Sequence, residues 1–152
     1  MASLTNDRPV PHREVRGIVD LSRGRTKKAY ANKTYEAERG YWAGLPIDHL
    51  ARRHTTIEEA QAVVDRYVAD CRVSRGNGLW NGCYYRTQNR ISIGGLASAW
   101  IVLHEIAHAL SVDRGHGAGF RAAYAKVVRA EYGDEIADGL LEKFGSLNLK
   151  VA

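Results

Sequence analysis

One stretch of the chain carries residue types at a spacing that suits metal chemistry. His104, Glu105 and His108 form an HExxH pattern. Residues four apart on a helix project from the same face, one turn above the other, so two imidazole nitrogens can bind one ion. Glu105 lies beside that face, where its carboxylate could accept a proton from a metal-activated water. The pattern therefore predicts a hydrolytic zinc site on a helix.

A third ligand is expected further along the chain, because catalytic zinc usually takes three protein ligands and leaves one position for water. His116 is the first choice, since residues 109–115 give the chain room to return and glycines on both sides of His116 permit a sharp turn. Asp113, which is close in sequence, and Glu131, on a following helix, are alternatives that the sequence leaves open.

Helices are expected to position these residues. The HExxH pattern lies within an apolar stretch that predicts a helix over 97–112. A second amphipathic helix is predicted over 118–132, and a last one from Gly133 and Asp134 to about Phe144. The core stripe of the first helix is predicted to consist of Trp100, Leu103, Ala107 and Leu110.

The preceding part of the chain mixes helix and strand patterns. A helix is predicted over 28–42, and a capping box with Thr55 as N-cap starts another that reaches about Asp70. Two strand-like runs, 79–85 and 90–93, are joined by a four-residue loop and predict a β-hairpin. A helix, a small antiparallel sheet and then two or three helices make an α+β domain.

Composition sets the broad class of protein. The chain has 152 residues, of which 45% are hydrophobic, which suits one globular domain. Residues 1–28 hold seven Lys or Arg against three Asp or Glu, and are predicted to form a basic, mobile segment before a single domain at 29–152. Such a segment could contact nucleic acid. Two cysteines, Cys71 and Cys83, predict reduced thiols rather than a disulfide framework.

The location of the protein is expected to be cytoplasmic. No run of apolar residues approaches the roughly 20 needed to cross a bilayer, so no membrane partner is expected. The start of the chain also lacks the charged-then-apolar pattern of a secretion signal. The oligomeric state is not indicated by any pattern.

Two short motifs resemble those of a known family. HEIAHA at 104–109 and HGAGFR at 116–121 are similar to the paired HExxHA and HGxxF motifs of SprT-like zincin metallopeptidases. Over its whole length the chain also resembles a family of predicted metallohydrolases of actinobacteria and their phages. Besides the two motifs, this likeness rests on YEAE at 35–38, EEAQ at 58–61 and LKV at 149–151. The resemblance implies a small zincin-like domain with one Zn²⁺ per chain, held by His104, His108 and His116, and Glu105 as general base.

The chain departs from relatives of that family in two ways. It has none of the C-terminal cysteines that form a zinc ribbon in many SprT-type proteins, so the DNA-linked role of that group is not implied here. Ser111 stands where metzincins have a helix-ending glycine.

These observations predict a zinc metallopeptidase that cleaves a peptide or protein substrate. By the resemblance, the substrate would add as an extra strand to the edge of the hairpin at 79–94. Arg121, Tyr124 and Tyr132 are within reach of the site as stabilisers of the oxyanion, and the sequence favours none of them.

Three other readings stay open from the sequence alone. The chain could be a zinc-stabilised binding protein for nucleic acid or a protein partner, without catalysis. It could hydrolyse a non-peptide amide bond. It could also be latent, with Cys71 or Asp113 in the position of the water.

Overall fold

The computed structural model describes residues 25–152, with side chains from Lys33 onward. Most of the predicted basic segment 1–28 therefore lies outside the described residues. Arg25 to Lys28 are helical, so the first helix begins earlier than predicted. Five helices and three strands follow one another as α1 Arg25–Gly44, α2 Ile57–Asp65, β1 Arg72–Arg75, β2 Gly82–Tyr85, β3 Arg90–Ile93, α3 Ala99–Leu110, α4 Ala118–Tyr132 and α5 Asp134–Ser146, with a short 3₁₀ turn at Leu50–Arg52.

The fold is of the α+β class, as predicted, with a small mixed sheet. β2 and β3 form the predicted antiparallel hairpin, joined by a loop at 86–89. The sheet differs from the predicted antiparallel arrangement in one respect, because β1 pairs in parallel with β3 on its other side. The resulting order β1-β3-β2 places β2 at the outer position of the sheet that residues 25–152 form.

The hairpin's first strand is shorter than predicted. It begins at Gly82 rather than Leu79, because residues 78–81 form an irregular loop that runs beside residues 94–96. The backbone N–H of Leu96 donates to the carbonyl of Leu79 over 2.6 Å, and the N–H of Gly94 donates to the carbonyl of Asn81 over 2.7 Å. This loop is therefore held by backbone hydrogen bonds outside the strand ladder.

α3 lies at the centre of the domain. Every residue from Trp100 to His108 is buried, since the sheet packs on one side of the helix and α4 on another. A helix that is apolar all round is expected to be buried in this way. The helix ends at Leu110 instead of Val112, because Ser111 adopts extended backbone angles. Leu110 is 46% exposed, so its predicted place in the core stripe was wrong.

α2 begins one residue later than predicted. Its capping box uses Thr56 as N-cap and Glu59 at the third position, each side chain binding the other residue's backbone N–H. The α-helix ends at Asp65, and single turns rather than a regular helix carry the chain to Val68. By contrast, the predicted bounds of α4 at 118–132 were confirmed.

Helices α4 and α5 pack against α3 and α1 and complete the core. Aromatic side chains fill the centre, with Trp42 stacked on Trp100 at a ring-centroid distance of 6.2 Å. None of the helices within residues 25–152 is long and apolar enough to cross a membrane. The main consequence for the site is that α1, α3 and α4 meet around the HExxH motif.

Candidate metal site

Three histidine side chains converge in the core of the domain. His104 and His108 lie one turn apart on α3, and His116 lies on the loop between α3 and α4. Their Nε2 atoms are separated by 3.1 Å between His104 and His108, 2.9 Å between His104 and His116, and 3.2 Å between His108 and His116. The first two are fully buried and His116 is 4% exposed. The cluster could hold a metal ion.

The spacing of the three nitrogens fits a zinc ion. Nitrogens bound to tetrahedral zinc at about 2.0–2.1 Å lie roughly 3.3 Å from one another. The observed separations of 2.9 to 3.2 Å are close to that value. Three imidazoles without a carboxylate or thiolate are also a donor set of catalytic zinc sites, where a fourth position is left for water.

Glu38 on α1 fixes the orientation of the first imidazole. Its Oε1 forms a hydrogen bond with Nδ1 of His104 over 2.5 Å, and both side chains are fully buried. In the tautomer with the proton on Nδ1, which a metal-binding histidine adopts, the lone pair of Nε2 points to the other two histidines. This carboxylate–imidazole pair is the arrangement that orients metal-binding histidines in general. Burial raises the pKa of Glu38, and a hydrogen bond with Tyr124 lowers that pKa in part.

The loop that carries His116 is held through its backbone. The carbonyl oxygen of His116 accepts hydrogen bonds from the Thr34 hydroxyl over 3.1 Å and from the Arg121 guanidinium over 2.5 Å. Arg121 also donates to the Thr34 hydroxyl and to the carbonyl of Lys150. Burial lowers the pKa of Arg121, and the charge of Asp113 raises it in part. Residues from α1, α4 and the C-terminal tail thus fix the third histidine.

Phe120 packs against the whole cluster. Its ring centroid is 4.6 Å from that of His104, 4.5 Å from that of His108 and 4.9 Å from that of His116. Phe120 is fully buried and stacks on Tyr124, which also contacts His104. An apolar wall of this kind keeps the imidazoles in one rotamer and lowers the local dielectric constant.

Glu105 is fully buried where α3 meets β2. The two elements approach closely at Gly82, where an added Cβ would stand 3.0 Å from Cγ of Glu105 and 2.8 Å from a methyl group of Ile101. Only a glycine fits this position without displacing those side chains. The strand therefore confines the carboxylate-bearing side chain of the HExxH motif.

The two rival metal ligands have other partners. Oδ2 of Asp113 accepts hydrogen bonds from the backbone N–H groups of Gly119 and Phe120 in the first turn of α4, where a negative charge is favoured. Glu131, in the last turn of α4, binds Arg66 over 2.6 Å and the Tyr67 hydroxyl over 2.5 Å. Neither belongs to the cluster of histidines, and Cys71 does not belong to it either.

The three candidates for oxyanion stabilisation are also placed. The guanidinium of Arg121 donates to Thr34 and to two backbone carbonyls, so its hydrogen bonds stabilise the structure around His116. Tyr124 is fully buried and contacts His104 and Glu38. Tyr132 packs on Trp42 and His49 instead of the histidine cluster.

Glu38 and Thr34 are the functional residues that sequence reasoning missed. The sequence shows only that Thr34, Ala37 and Glu38 share one face of a helix, and the structure adds that all three are fully buried. Two polar residues on a buried face require internal partners. The identity of those partners depends on how α1 packs across α3, which the sequence does not state.

Comparisons of the chain with protein-family models, with curated protein sequences and with solved structures gave no match. The geometry of the site is therefore the basis for a functional assignment.

Proposed function

We propose that this protein is a zinc-dependent hydrolase that cleaves peptide bonds. The observation that carries the proposal is the convergence of three buried imidazole Nε2 atoms, one of them oriented by a buried carboxylate, beside the glutamate of an HExxH motif. A purely structural site has no need of Glu105, whereas hydrolysis requires a base at that position. The SprT-like zincin resemblance is part of the same proposal.

His104, His108 and His116 would hold the ion. When bound, zinc polarises a substrate carbonyl and lowers the pKa of a water in the fourth position. Glu38 keeps Nε2 of His104 aimed at the ion, and Thr34 and Arg121 keep the His116 loop in place. Because these contacts order the ligands before the metal binds, less conformational entropy is lost on binding.

Glu105 would carry the protons of the reaction. Its carboxylate removes one proton from the attacking water as the carbon–oxygen bond forms. It then gives that proton to the leaving nitrogen as the carbon–nitrogen bond breaks. Water and an amide thereby become a carboxylic acid and an amine, and Glu105 returns to its starting state.

The outer position of β2 gives the substrate a surface to follow. β2 is the strand that packs on α3 next to Glu105. An extended peptide beside this strand would pass the histidine cluster with its backbone aligned by the sheet.

The proposal is tested with a proteome-derived peptide library and mass spectrometry of the products. Zinc-loaded wild type should cleave a defined subset of peptides, and removal of zinc with a chelator should stop cleavage. Glu105→Gln should keep its zinc and its thermal unfolding temperature, while the rate of cleavage falls by about 10²- to 10⁴-fold, as expected for loss of a general base.

The matched control is Glu131→Gln, which changes a glutamate outside the cluster and should leave the rate within about twofold of wild type. Equal cleavage by wild type and Glu105→Gln would refute the assigned role of the glutamate. A wild-type protein that binds zinc but cleaves no peptide would favour the alternative of a zinc-stabilised binding protein.

A further inference from the structure

A groove that none of the three histidines lines opens beside the N-terminal end of α3. It consists of two cavities of about 460 and 410 Å³ that share Arg39, Ser98 and Trp100 as lining residues. One wall comes from α1, another from the loop at 78–81, and the floor from the first turn of α3. This volume is large enough for one or two side chains of a ligand.

The rim of the groove presents apolar side chains to solvent. Leu79 is 57% exposed and Trp80 is 61% exposed, and both line the first cavity. Ile47, at the second cavity, is 84% exposed. Large apolar side chains clustered at a cavity are typical of binding surfaces rather than of ordinary surface.

The loop that carries this rim is fixed. Besides the backbone hydrogen bonds of Leu79 and Asn81, it packs tightly on Gly94, where an added Cβ would stand 2.5 Å from the carbonyl group of Leu79. The ring of Trp80 also contacts that of His54 at 6.3 Å. The exposed aromatic side chain is therefore held in position, which lowers the entropy lost when a ligand binds.

The charge of the groove is positive. Arg39, Arg52 and His54 line it, and none of the lining residues that the structure describes is an aspartate or glutamate. Arg52 is anchored by hydrogen bonds to the carbonyls of Ala43 and Leu45. Arg39 is exposed and lies over the Tyr35 ring at 5.7 Å, with no carboxylate partner among residues 25–152. The groove thus offers an aromatic surface and a guanidinium available to a carboxylate.

The groove is close to the residues assigned to catalysis. Ile101 lines it and lies four residues before Glu105, a rise of about 6 Å along the helix axis. Gly82, which begins β2, directly follows Asn81 of the groove, and a Cβ added to it would meet the side chains of Ile101 and Glu105. An extended peptide advances about 3.3 Å per residue, so about two residues cover the rise from Ile101 to Glu105.

We propose that the groove selects the substrate of this protein. It binds the part of an acidic peptide in which a large apolar side chain, aromatic or aliphatic, adjoins an aspartate or glutamate. The apolar side chain packs between Trp80 and Trp100, and the carboxylate binds Arg39. This inference rests on the proposed peptidase function, because the selected residues would lie within two or three positions of the scissile bond.

Cleavage profiles test the selection directly. In the peptide library, wild type should cut sites enriched for a large apolar residue beside an acidic one on one side of the bond. Arg39→Glu should lose the preference for the acidic residue by at least about fivefold, the effect expected for reversing one charge in an exposed pair. Arg39→Lys should retain it. Arg72→Glu makes the same charge change at an exposed position of β1, outside the groove, and should leave the profile unaltered.

Binding without catalysis separates this inference from the proposed function. The probes are two fluorescein-labelled peptide mixtures, one with Glu-Phe-Glu and one with Lys-Phe-Lys fixed at the centre of ten residues. Zinc-loaded Glu105→Gln should bind the acidic mixture at least about fivefold more tightly by fluorescence anisotropy. Adding Trp80→Ala should weaken that binding by about tenfold, and adding Trp80→Phe should largely restore it.

The outcomes are distinct. Selective binding that depends on Arg39 and Trp80, together with no cleavage by wild type, would support the groove and refute the peptidase. Cleavage by wild type with a profile that Arg39→Glu leaves unchanged would overturn the groove and keep the peptidase. Equal binding of the acidic and basic mixtures would also overturn the inference.

Discussion

The three histidines are held in two different ways. His104 and His108 share one helix, so their four-residue spacing alone places both imidazoles on one face. His116 lies on the loop that joins α3 to α4, where no regular hydrogen-bond ladder fixes its position. Its backbone carbonyl is instead bound by Thr34, 82 residues earlier in the chain, and by Arg121.

The difference shows which contacts determine the position of each imidazole. For the helical pair, local geometry places both imidazoles, but the ring direction of His104 also depends on a tertiary contact with Glu38. For the loop histidine, tertiary contacts supply the position itself. Changes to distant residues should therefore disturb the His116 side of the cluster more than the His108 side. Four substitutions test or refine this contrast.

The largest effect is expected at Glu38, which acts on a helical histidine. Glu38→Gln replaces the buried carboxylate that binds Nδ1–H of His104 by a neutral amide. Loss of such a partner typically weakens metal binding by about 10- to 100-fold. Competition with a chelating zinc indicator measures the dissociation constant. An affinity within twofold of wild type would show that the helix alone orients His104.

Gly82 tests the strand that confines Glu105. In Gly82→Ala the new methyl group would displace the side chain of Glu105 or of Ile101. We expect kcat for a library-derived peptide to fall by about tenfold, because small displacements of a reacting group are costly, while zinc affinity is unchanged.

The matched control is Gly95→Ala, since an added Cβ at Gly95 meets no atom of the described residues within 4 Å. That variant should keep the wild-type kcat. If Gly82→Ala and Gly95→Ala are equally active, the close approach of β2 has no bearing on the reaction.

Thr34→Val removes one of the hydrogen bonds that hold the His116 carbonyl. A single hydrogen bond contributes about 1 kcal/mol, so zinc affinity should fall by about fivefold. Zinc titration by calorimetry checks this value, and thermal unfolding of the zinc-free protein shows whether the fold itself has changed. An unaltered affinity would mean that Arg121 alone fixes the loop.

Arg86→Met is the matching change on the helical side. The Arg86 guanidinium donates to the carbonyl of His108 over 3.0 Å, at the C-terminal end of α3. Its removal should lower the free energy of unfolding by about 0.5–1 kcal/mol, through the loss of a cation at a helix C-terminus. Zinc affinity should stay within about twofold of wild type. A larger loss of zinc in Arg86→Met than in Thr34→Val would reverse the contrast between the two sides.

Local sequence signals predicted the parts of the structure that local forces determine. The bounds of α4, the loop at 86–89 and the α+β class all follow from helical periodicity, turn composition and the order of elements. The HExxH spacing likewise places two imidazoles together, because side chains four residues apart project from the same face of an α-helix.

The missed features depend on long-range contacts. β1 is four residues long, so its alternation of exposed and buried positions is too short to be recognised in the sequence. Its partner β3 is separated from it along the chain by the whole of β2. The contacts of Glu38 and Thr34 with the histidines exist only once α1 has packed against the centre of the domain. The helix cap at Thr56, one residue from its predicted place, reflects a choice between two adjacent threonines that local sequence hardly distinguishes.

Metal content is the most direct test of the central claim. Tag-free protein is stripped with a chelator, incubated with zinc, freed of excess metal and measured by mass spectrometry. Wild type and the control His54→Ala should each hold about one zinc per chain, because His54 is exposed and outside the cluster. His116→Ala should lose most of its zinc. Wild type without zinc after this treatment, or His116→Ala with a full complement, would contradict the three-histidine site.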